Sequence, residues 1–205
     1  MNQQPADSVR RAIDFFAEHG VPAKARIIPD GFTPKQADVL CERGLRHTGF
    51  HTILWSPLTM KIQGDDSIDI REARSPEQID AHIDIQLGTI PKEAIEWLRP
   101  LRRRWWDLPH LRFYLAYIDG VPAAQAVLDW RDDMAYLAHA DTLAAFRNRG
   151  LQAALIRRRL AEAKDLGCKV VFGGSDFENS SRTNQMACGL QVAYTCAWWG
   201  QSKSA

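Results

Sequence analysis

The chain of 205 residues is poor in cysteine and has no excess of either charge. Its four cysteines show neither CxxC spacing nor a metal-site pattern, so we expect reduced thiols and no bound metal. The 26 basic residues nearly balance the 25 acidic ones, which argues against a general nucleic-acid or membrane-surface binder. No apolar run approaches the roughly 20 residues of a membrane-spanning helix, and no secretory signal begins the sequence. These absences predict a soluble, cytoplasmic protein without a membrane partner.

The most informative segment is a basic turn that leads from a predicted strand into a predicted helix. Residues 134–139 favour a strand, and an apolar stripe that begins at Leu151 predicts a helix over 150–166. Arg147 and Arg149 lie in the turn, just before a glycine. The first amides of a helix have no intrahelical partner, and the helix dipole adds positive charge at the same end. The turn is therefore typical of a site for a phosphorylated ligand.

The remaining patterns predict an α/β protein with a sheet of mixed direction. Helices are predicted to begin near residues 7, 34, 76, 92, 150 and 180, and strands near residues 23, 51, 68, 113, 123, 134, 169 and 192. Asp119-Gly120 is a strong signal for a two-residue hairpin turn. The polar segment 63–67 is the predicted linker, which gives predicted domains over residues 1–62 and 68–205.

An order of elements occurs twice in the chain. The first copy consists of a helix, a glycine, a strand, a helix, Gly44-Leu45 and a strand that ends at Trp55. The second copy lies near the carboxyl terminus. There the marks are Gly189-Leu190 and a strand that ends at Trp199. We interpret residues 1–62 as a degenerate partial repeat without a basic turn of its own. A half-domain cannot bury its sheet face, so it is expected to pack on the complete domain or on a partner chain, as in a homodimer.

Three motifs, in this order, resemble the GCN5-related N-acetyltransferase (GNAT) superfamily. The hairpin 115–124, LAYIDGVPAA, is similar to the family's AYxDGxPVA pair of strands. The turn 147–152, RNRGLQ, is similar to the pyrophosphate motif Q/R-x-x-G-x-G/A. The segment 181–184, SRTN, followed by Gly189-Leu190, is similar to S/N-x-x-N with a later G-F pair. The resemblance covers residues 68–205 and implies the GNAT fold, a splayed, mostly antiparallel mixed sheet flanked by helices, preceded by a partial GNAT-like half-domain.

The resemblance also implies acetyl-CoA as co-substrate, bound between the family's fourth and fifth strands. Amides of the turn would bind the pyrophosphate, the chain near Asp141 would pair with pantetheine as an added strand, and Asn184 would bond the pantetheine arm. The implied cofactor-binding residues are Thr142, Leu143, Arg147, Asn148, Arg149, Gly150, Leu151, Gln152, Ala153 and Asn184.

The sequence departs from the family pattern where a catalytic acid is usual. Gln185 stands four residues before the glycine of the G-F pair, where many members carry a tyrosine, and Gln152 stands where the pyrophosphate motif prefers glycine or alanine. His139 and Asp141 share one face of the predicted strand and are candidates for relaying a proton from the amine. Tyr194 is the candidate replacement acid. Each of the three also has the ordinary interpretation of a structural polar residue.

A run of arginine and tryptophan over 99–106 is the sharpest concentration of charge. It is consistent with a solvated helix end, with a segment that borders the acceptor site, or with nucleic-acid contact. The resemblance carried by the three motifs implies an N-acetyltransferase that moves acetyl from acetyl-CoA to a primary amine of a small molecule or peptide, by direct attack in a ternary complex. The alternatives are a non-catalytic acyl-CoA sensor module, an enzyme for a longer acyl-CoA, and a structural dimer.

Overall fold

A computed structural model of the protein describes residues 5–59, 62, 67–88 and 90–201. The helices are α1 (Pro5–Glu18), α2 (Pro34–Glu42), α3 (Pro76–Leu87), α4 (Lys92–Arg104), α5 (Leu151–Asp165) and α6 (Ser180–Ala187). The strands are β1 (Lys24–Ile27), β2 (Leu45–Pro57), β3 (Asp69–Glu72), β4 (Leu111–Ile118), β5 (Val121–Arg131), β6 (Met134–Thr142), β7 (Val170–Asp176) and β8 (Gln191–Gln201). Single turns of 3-10 helix follow α4 and β6, at Trp105–Asp107 and Ala144–Phe146.

The strands form a mixed, mostly antiparallel sheet in the order β1-β8-β2-β7-β6-β5-β4-β3. The pairs β1/β8, β3/β4, β4/β5 and β5/β6 are antiparallel, whereas β6 and β7 run parallel. A parallel pair needs a crossover connection, and α5 supplies it between β6 and β7. The fold class predicted from the sequence is confirmed.

Local sequence explains where these elements begin and turn. Ser75 and Gln78 form a reciprocal capping box ahead of α3, in which each side chain accepts a hydrogen bond from the other residue's backbone amide. Asp119 and Gly120 join β4 to β5 with φ angles of 49° and 78°. Two positive φ angles are typical of the hairpin turn whose twist matches the strands, so the predicted turn is confirmed.

The chain divides into two compact units, and the larger comprises Leu54–Gly174 and Ser180–Gln191. Neighbouring residues of a strand face opposite sides, so Tyr114 and Leu115, both fully buried on β4, belong to different cores. The first core takes its helical residues from α5, including Leu151, Leu155 and Leu160. The second takes them from α3, including Ile79, Ile83 and Leu87. The strands β4, β5 and β6 are thus covered on both faces.

The smaller unit comprises the described residues of Met1–Ile53, Ser175–Asn179 and Val192–Ala205. Its core contains Ile13 of α1 and Leu40 of α2, and Arg43 pairs with Asp14 across these helices at 2.8 Å. The orders α1-β1-α2-β2 and α5-β7-α6-β8 agree, as predicted. That they derive from one duplicated unit stays a prediction, as do the domain bounds 1–62 and 68–205.

Residues 63–66 of the predicted linker lie outside the described residues. Within the described ranges, no helix is long and apolar enough to cross a bilayer.

Candidate active site

The parallel strands β6 and β7 stop pairing part-way along β6. Their register runs from Met134 with Val170 to Leu137 with Gly173, whereas β6 continues to Thr142. Over residues 138–142, β6 pairs with β5 and, among the described residues, with no other strand. The other edge of β6 therefore offers backbone donors and acceptors to an extended ligand, which would bind as an added strand.

His139 occupies a β-bulge at the start of this free edge. Val127 of β5 pairs with Ala138 and Ala126 pairs with Ala140, which leaves His139 as the extra residue. Ala138 packs in the core on the α3 side of the sheet, and His139 also points to that side, against Trp105. Sequence alternation predicted a strand that ends at His139 and gave no sign of the bulge.

His139 is held in a mostly aromatic and cationic surrounding. Its ring centroid lies 5.1 Å from that of Trp105, and the Arg102 guanidinium lies 3.9 Å from the Trp105 ring centroid. Loss of hydration lowers the pKa of His139, and the charge of Arg102 lowers it further. A histidine that is neutral at physiological pH is able to accept a proton.

Asp141 lies on the same face as His139, in contact with a buried amide. Nε2 of Gln125, which is fully buried, donates to Oδ2 of Asp141 at 2.7 Å. Burial raises the pKa of Asp141, while the Gln125 hydrogen bond and the charge of Arg102 lower it. The structure thus brings His139 and Asp141 to one site, although the carboxylate bonds Gln125 rather than the imidazole.

The arginine-rich run divides into two groups by contact. Arg99 and Arg103 form ion pairs with Asp84 and Asp80, which fastens α4 to α3. Arg102 instead lies on the side of His139 and Asp141, with its Nε buried and without a hydrogen-bond partner among the described residues. The run is therefore partly a helix brace and partly a border of this site.

The basic turn opens α5 with its amides uncapped. Gly150 is the N-cap, at φ 78°, and no side chain caps the helix. A Cβ at Gly150 would meet only Ile68, at 3.9 Å, so the positive φ angle, not a lack of space, requires glycine. Asn148 also has a positive φ angle, 62°. The first amides of α5, from Leu151 to Ala153, remain available to an anion.

Most other predicted cofactor residues lie around this helix start. Arg147 and Arg149 are exposed. The guanidinium carbon of Arg149 lies 5.6 Å from the ring centroid of Phe146. Gln152 Nε2 donates to Thr142 Oγ1 at 2.8 Å, so the turn is tied to the end of β6. The Leu143 amide already donates to Ala123 O at 3.0 Å, and its contact with a ligand stays a prediction.

Gln185 stands at the position where many members of the resembled family carry a tyrosine. It is 3% exposed, and its Nε2 donates to Ser181 Oγ at 3.1 Å and to Gly174 O at 3.4 Å. Its Oε1 would lie 1.9 Å from a Cβ at Gly173, the last residue of β7 paired to β6. Gln185 is therefore packed against the residue at which the pairing of β7 with β6 ends. Asn184 is half-buried beside it. A carboxamide has no proton to give at neutral pH, so it does not replace the acid.

Tyr194 is the remaining catalytic candidate. Tyr194 belongs to β8 in the smaller unit, with 38% of its surface exposed, and its role as an acid stays a prediction. Burial raises the pKa of the Cys188 thiol, which opposes the thiolate form that a nucleophile needs.

Sequence reasoning missed Arg159 of α5, which is fully buried beneath the bulge. It lies eight and four residues after Leu151 and Leu155, on the apolar stripe of the helix. A charged residue on such a stripe is the signal that identifies it.

Comparison with known proteins decides the family of the chain. The sequence model of the Acetyltransferase (GNAT) family matches residues 79–184. The chain belongs to this family. The matched range contains β6, the basic turn and Asn184, which are elements of the candidate site described above. No curated protein matches the sequence.

Solved structures share the GNAT fold at low sequence identity. A GCN5-related N-acetyltransferase from Kribbella flavida is 18% identical with a TM-score of 0.68, over 97% of this chain and 77% of that one. A tandem GNAT protein from the clavulanic acid biosynthesis pathway is 14% identical with a TM-score of 0.66, over 96% and 69%. AAC(6')-Iy, in complex with the bisubstrate analogue CoA-S-monomethyl-acetylneamine, is 19% identical with a TM-score of 0.51, over 62% and 92%.

Proposed function

We propose that this GNAT protein transfers an acyl group, acetyl in the first instance, from acyl-CoA to a primary amine. The observation that carries the proposal is the unpaired edge of β6 beside the uncapped start of α5. An extended arm and a pyrophosphate are the two parts of CoA that such an edge and such a helix end recognise. The complex of AAC(6')-Iy with a CoA analogue supports this assignment.

The binding half of the proposal assigns residues to three parts of the donor. The amides from Leu151 to Ala153, with the side chains of Arg147 and Arg149, hold the pyrophosphate. The backbone of β6 from Asp141 onward pairs with the pantetheine arm, and Asn184 of α6 bonds it from the other side. The thioester then lies at the bulge, next to His139.

The chemical half of the proposal places proton transfer on the α4 side of the sheet. An amine of pKa about 10 is protonated at neutral pH and must lose a proton before it attacks. Neutral His139 accepts this proton, through a water molecule or directly, and Asp141 holds the ammonium form nearby before transfer. A carbon–nitrogen bond forms, the carbon–sulfur bond breaks, and the CoA sulfur leaves with the electron pair. The nitrogen releases its second proton to water, which leaves an amide and the CoA thiolate. Positioning the amine beside the thioester supplies much of the rate.

A second candidate function, a non-catalytic acyl-CoA sensor, is favoured by Gln185. Its amide is locked by Ser181 and Gly174 and cannot protonate a leaving thiolate. A thiolate with a pKa of about 8.5 is nevertheless a tolerable leaving group without an acid. Tyr194→Phe tests the remaining candidate acid. If Tyr194 donates the proton, kcat falls at least about tenfold while acetyl-CoA affinity is kept.

Two measurements test the proposed function. Calorimetry with acetyl-CoA gives the affinity for the donor, and the absence of binding at millimolar concentration contradicts both candidates. Release of free CoA thiol is then followed over a panel of primary amines, with acetyl-, propionyl- and longer acyl-CoA. Release that accelerates with one class of amine supports the enzyme, whereas tight binding with amine-independent release supports the sensor.

A further inference from the structure

Arg159 is a buried cation that is satisfied by backbone carbonyls instead of a carboxylate. It is 2% exposed, and loss of hydration lowers its pKa to about 10, so it stays charged at neutral pH. Its hydrogen bonds among the described residues go to the oxygens of Leu155, Val127 and Ala138. Burying a charge without an opposite charge costs several kcal/mol. A position that keeps such a charge in an otherwise apolar core calls for a specific reason.

The hydrogen bonds of Arg159 are concentrated on the bulge of β6. Nη1 lies 2.9 Å from Val127 O and 2.9 Å from Ala138 O, while Nε lies 3.1 Å from Leu155 O in its own helix. Val127 and Ala138 are the register pair next to the extra residue His139. A bulge disturbs the ladder at this point, and one guanidinium nitrogen bridges the two strands there.

The orientation of the Ala138 carbonyl fixes the orientation of the next amide. Peptide bonds in the described residues are all trans, so the C=O of Ala138 and the N–H of His139 point in opposite directions. The carbonyl points to the guanidinium of Arg159, which reaches the strand from the α5 side. The His139 amide therefore points away from Arg159. A cation bonded to the carbonyl also polarises the whole peptide group and strengthens the amide as a donor.

From this geometry we infer that Arg159 is a positioning residue for acyl transfer, which aims and polarises the His139 amide at the carbonyl oxygen of the bound thioester. The inference rests on the proposed function. When the amine attacks, the carbon–oxygen double bond opens and the oxygen gains negative charge. An amide placed beforehand at that oxygen stabilises the charge without reorganisation. Arg159 itself does not touch the substrate, because it lies beneath the strand.

Arg159→Met and Arg159→Lys test this role, with Arg158→Met as the matched control. Arg158 lies next to Arg159 on α5, but it is exposed and pairs with Glu162 on the surface. Thermal unfolding establishes that each variant is folded. We expect Arg159→Met to bind acetyl-CoA within about threefold of the native affinity and to lose about a hundredfold in kcat, the loss typical of one oxyanion donor. Arg159→Lys retains the charge and is expected to recover part of kcat, while Arg158→Met retains all of it.

A spectroscopic measurement separates positioning from general structural support. Infrared difference spectra with acetyl-CoA labelled at the carbonyl carbon report the polarisation of the thioester. The carbonyl band is expected to shift to lower frequency on binding to the native protein and to Arg158→Met, and to shift less in Arg159→Met.

Native kcat and an unchanged band shift in folded Arg159→Met overturn the inference while the proposed function stands. If Arg159→Met does not fold, the same two readouts on Arg159→Lys decide: a reduced band shift with kept affinity supports the inference, and native values overturn it. Failure of the native protein to bind acetyl-CoA instead removes the proposed function.

Discussion

Gln152 of α5 donates a hydrogen bond from Nε2 to the hydroxyl oxygen of Thr142 over 2.8 Å. The bond joins the uncapped start of α5 to the last residue of β6. It also explains a departure of the sequence from the family motif, which prefers glycine or alanine where Gln152 stands. Here the longer side chain fastens the pyrophosphate end of the proposed site to the strand edge that would pair with pantetheine.

A double-mutant cycle over Gln152→Ala and Thr142→Val measures this tie. Each single change is expected to lower the free energy of unfolding by about 1 kcal/mol, because one hydrogen bond between half-buried groups is lost. The double variant is expected to lose less than the sum of the two, since both changes remove the same bond. Urea unfolding followed by circular dichroism gives the three values. Strict additivity would show that the bond adds no stability in solution.

Gly150→Ala and Gly167→Ala form a matched pair at the two ends of α5. Both glycines have φ angles near 80°, and a Cβ at either meets little or nothing. Alanine in this conformation costs about 1–2 kcal/mol, so both variants are expected to lose similar stability. Calorimetry is expected to show acetyl-CoA affinity reduced about tenfold or more by Gly150→Ala alone, since only that glycine positions the amides of the basic turn. Equal losses of affinity in the two variants would refute the pyrophosphate assignment.

The elements that the sequence predicts well are those set by local chemistry. Helix α4 begins and ends where the apolar spacing and the flanking residues place it, and the Asp119-Gly120 turn follows from the φ angles that the two residues tolerate. The end of β6 was predicted three residues early, because His139, Asp141 and Thr142 interrupt the apolar alternation of a strand. The bulge and the burial of Arg159 depend on contacts between distant segments, which alternation within one segment does not report.

Arg102→Met is expected to move the pH dependence of acyl transfer. The charge of Arg102 is one of the causes that lower the pKa of His139, after its loss of hydration. A base must be deprotonated to act, so kcat/KM rises with pH through the pKa of the free enzyme. Removing the positive charge raises that pKa, and the rising limb of the profile moves to higher pH. The profile is measured by thiol release from pH 5 to 9, in steps of about half a unit.

His139→Gln supplies the control for that profile. Glutamine keeps a polar side chain on the bulge but does not titrate, so the rising limb is expected to disappear in this variant. If the rising limb of the kcat/KM profile remains in His139→Gln, the base is another group. The same holds if Arg102→Met leaves the limb at its native pH. Arg104→Met, an exposed change at the end of the same helix, is expected to keep the native profile.

His82 of α3 is expected to make the fold sensitive to mild acid. It is 1% exposed, contacts Ala126 O at 3.4 Å through Nε2, and stacks edge-on against Phe113. Burial lowers its pKa to about 4, against about 6.5 in the unfolded chain. The unfolded state therefore binds the proton first as the pH falls, so stability is lost from about pH 6.5 down to about pH 4 and is unaffected by this group above that window. The full shift of the His82 pKa corresponds to a loss of about 3 kcal/mol in the free energy of unfolding.

The measurement for His82 is urea unfolding at pH 7.5 and pH 4.5 in the native protein and in His82→Phe. Phenylalanine fits the apolar surrounding and does not titrate, although it gives up the contact with Ala126 O. We expect His82→Phe to be somewhat less stable at pH 7.5 and to lose clearly less stability than the native protein on acidification. His110→Phe is the comparison, since His110 is only half-buried and lies at a loop. If the two variants show the same loss between these pH values as the native protein, the acid sensitivity belongs to the carboxylates and not to His82.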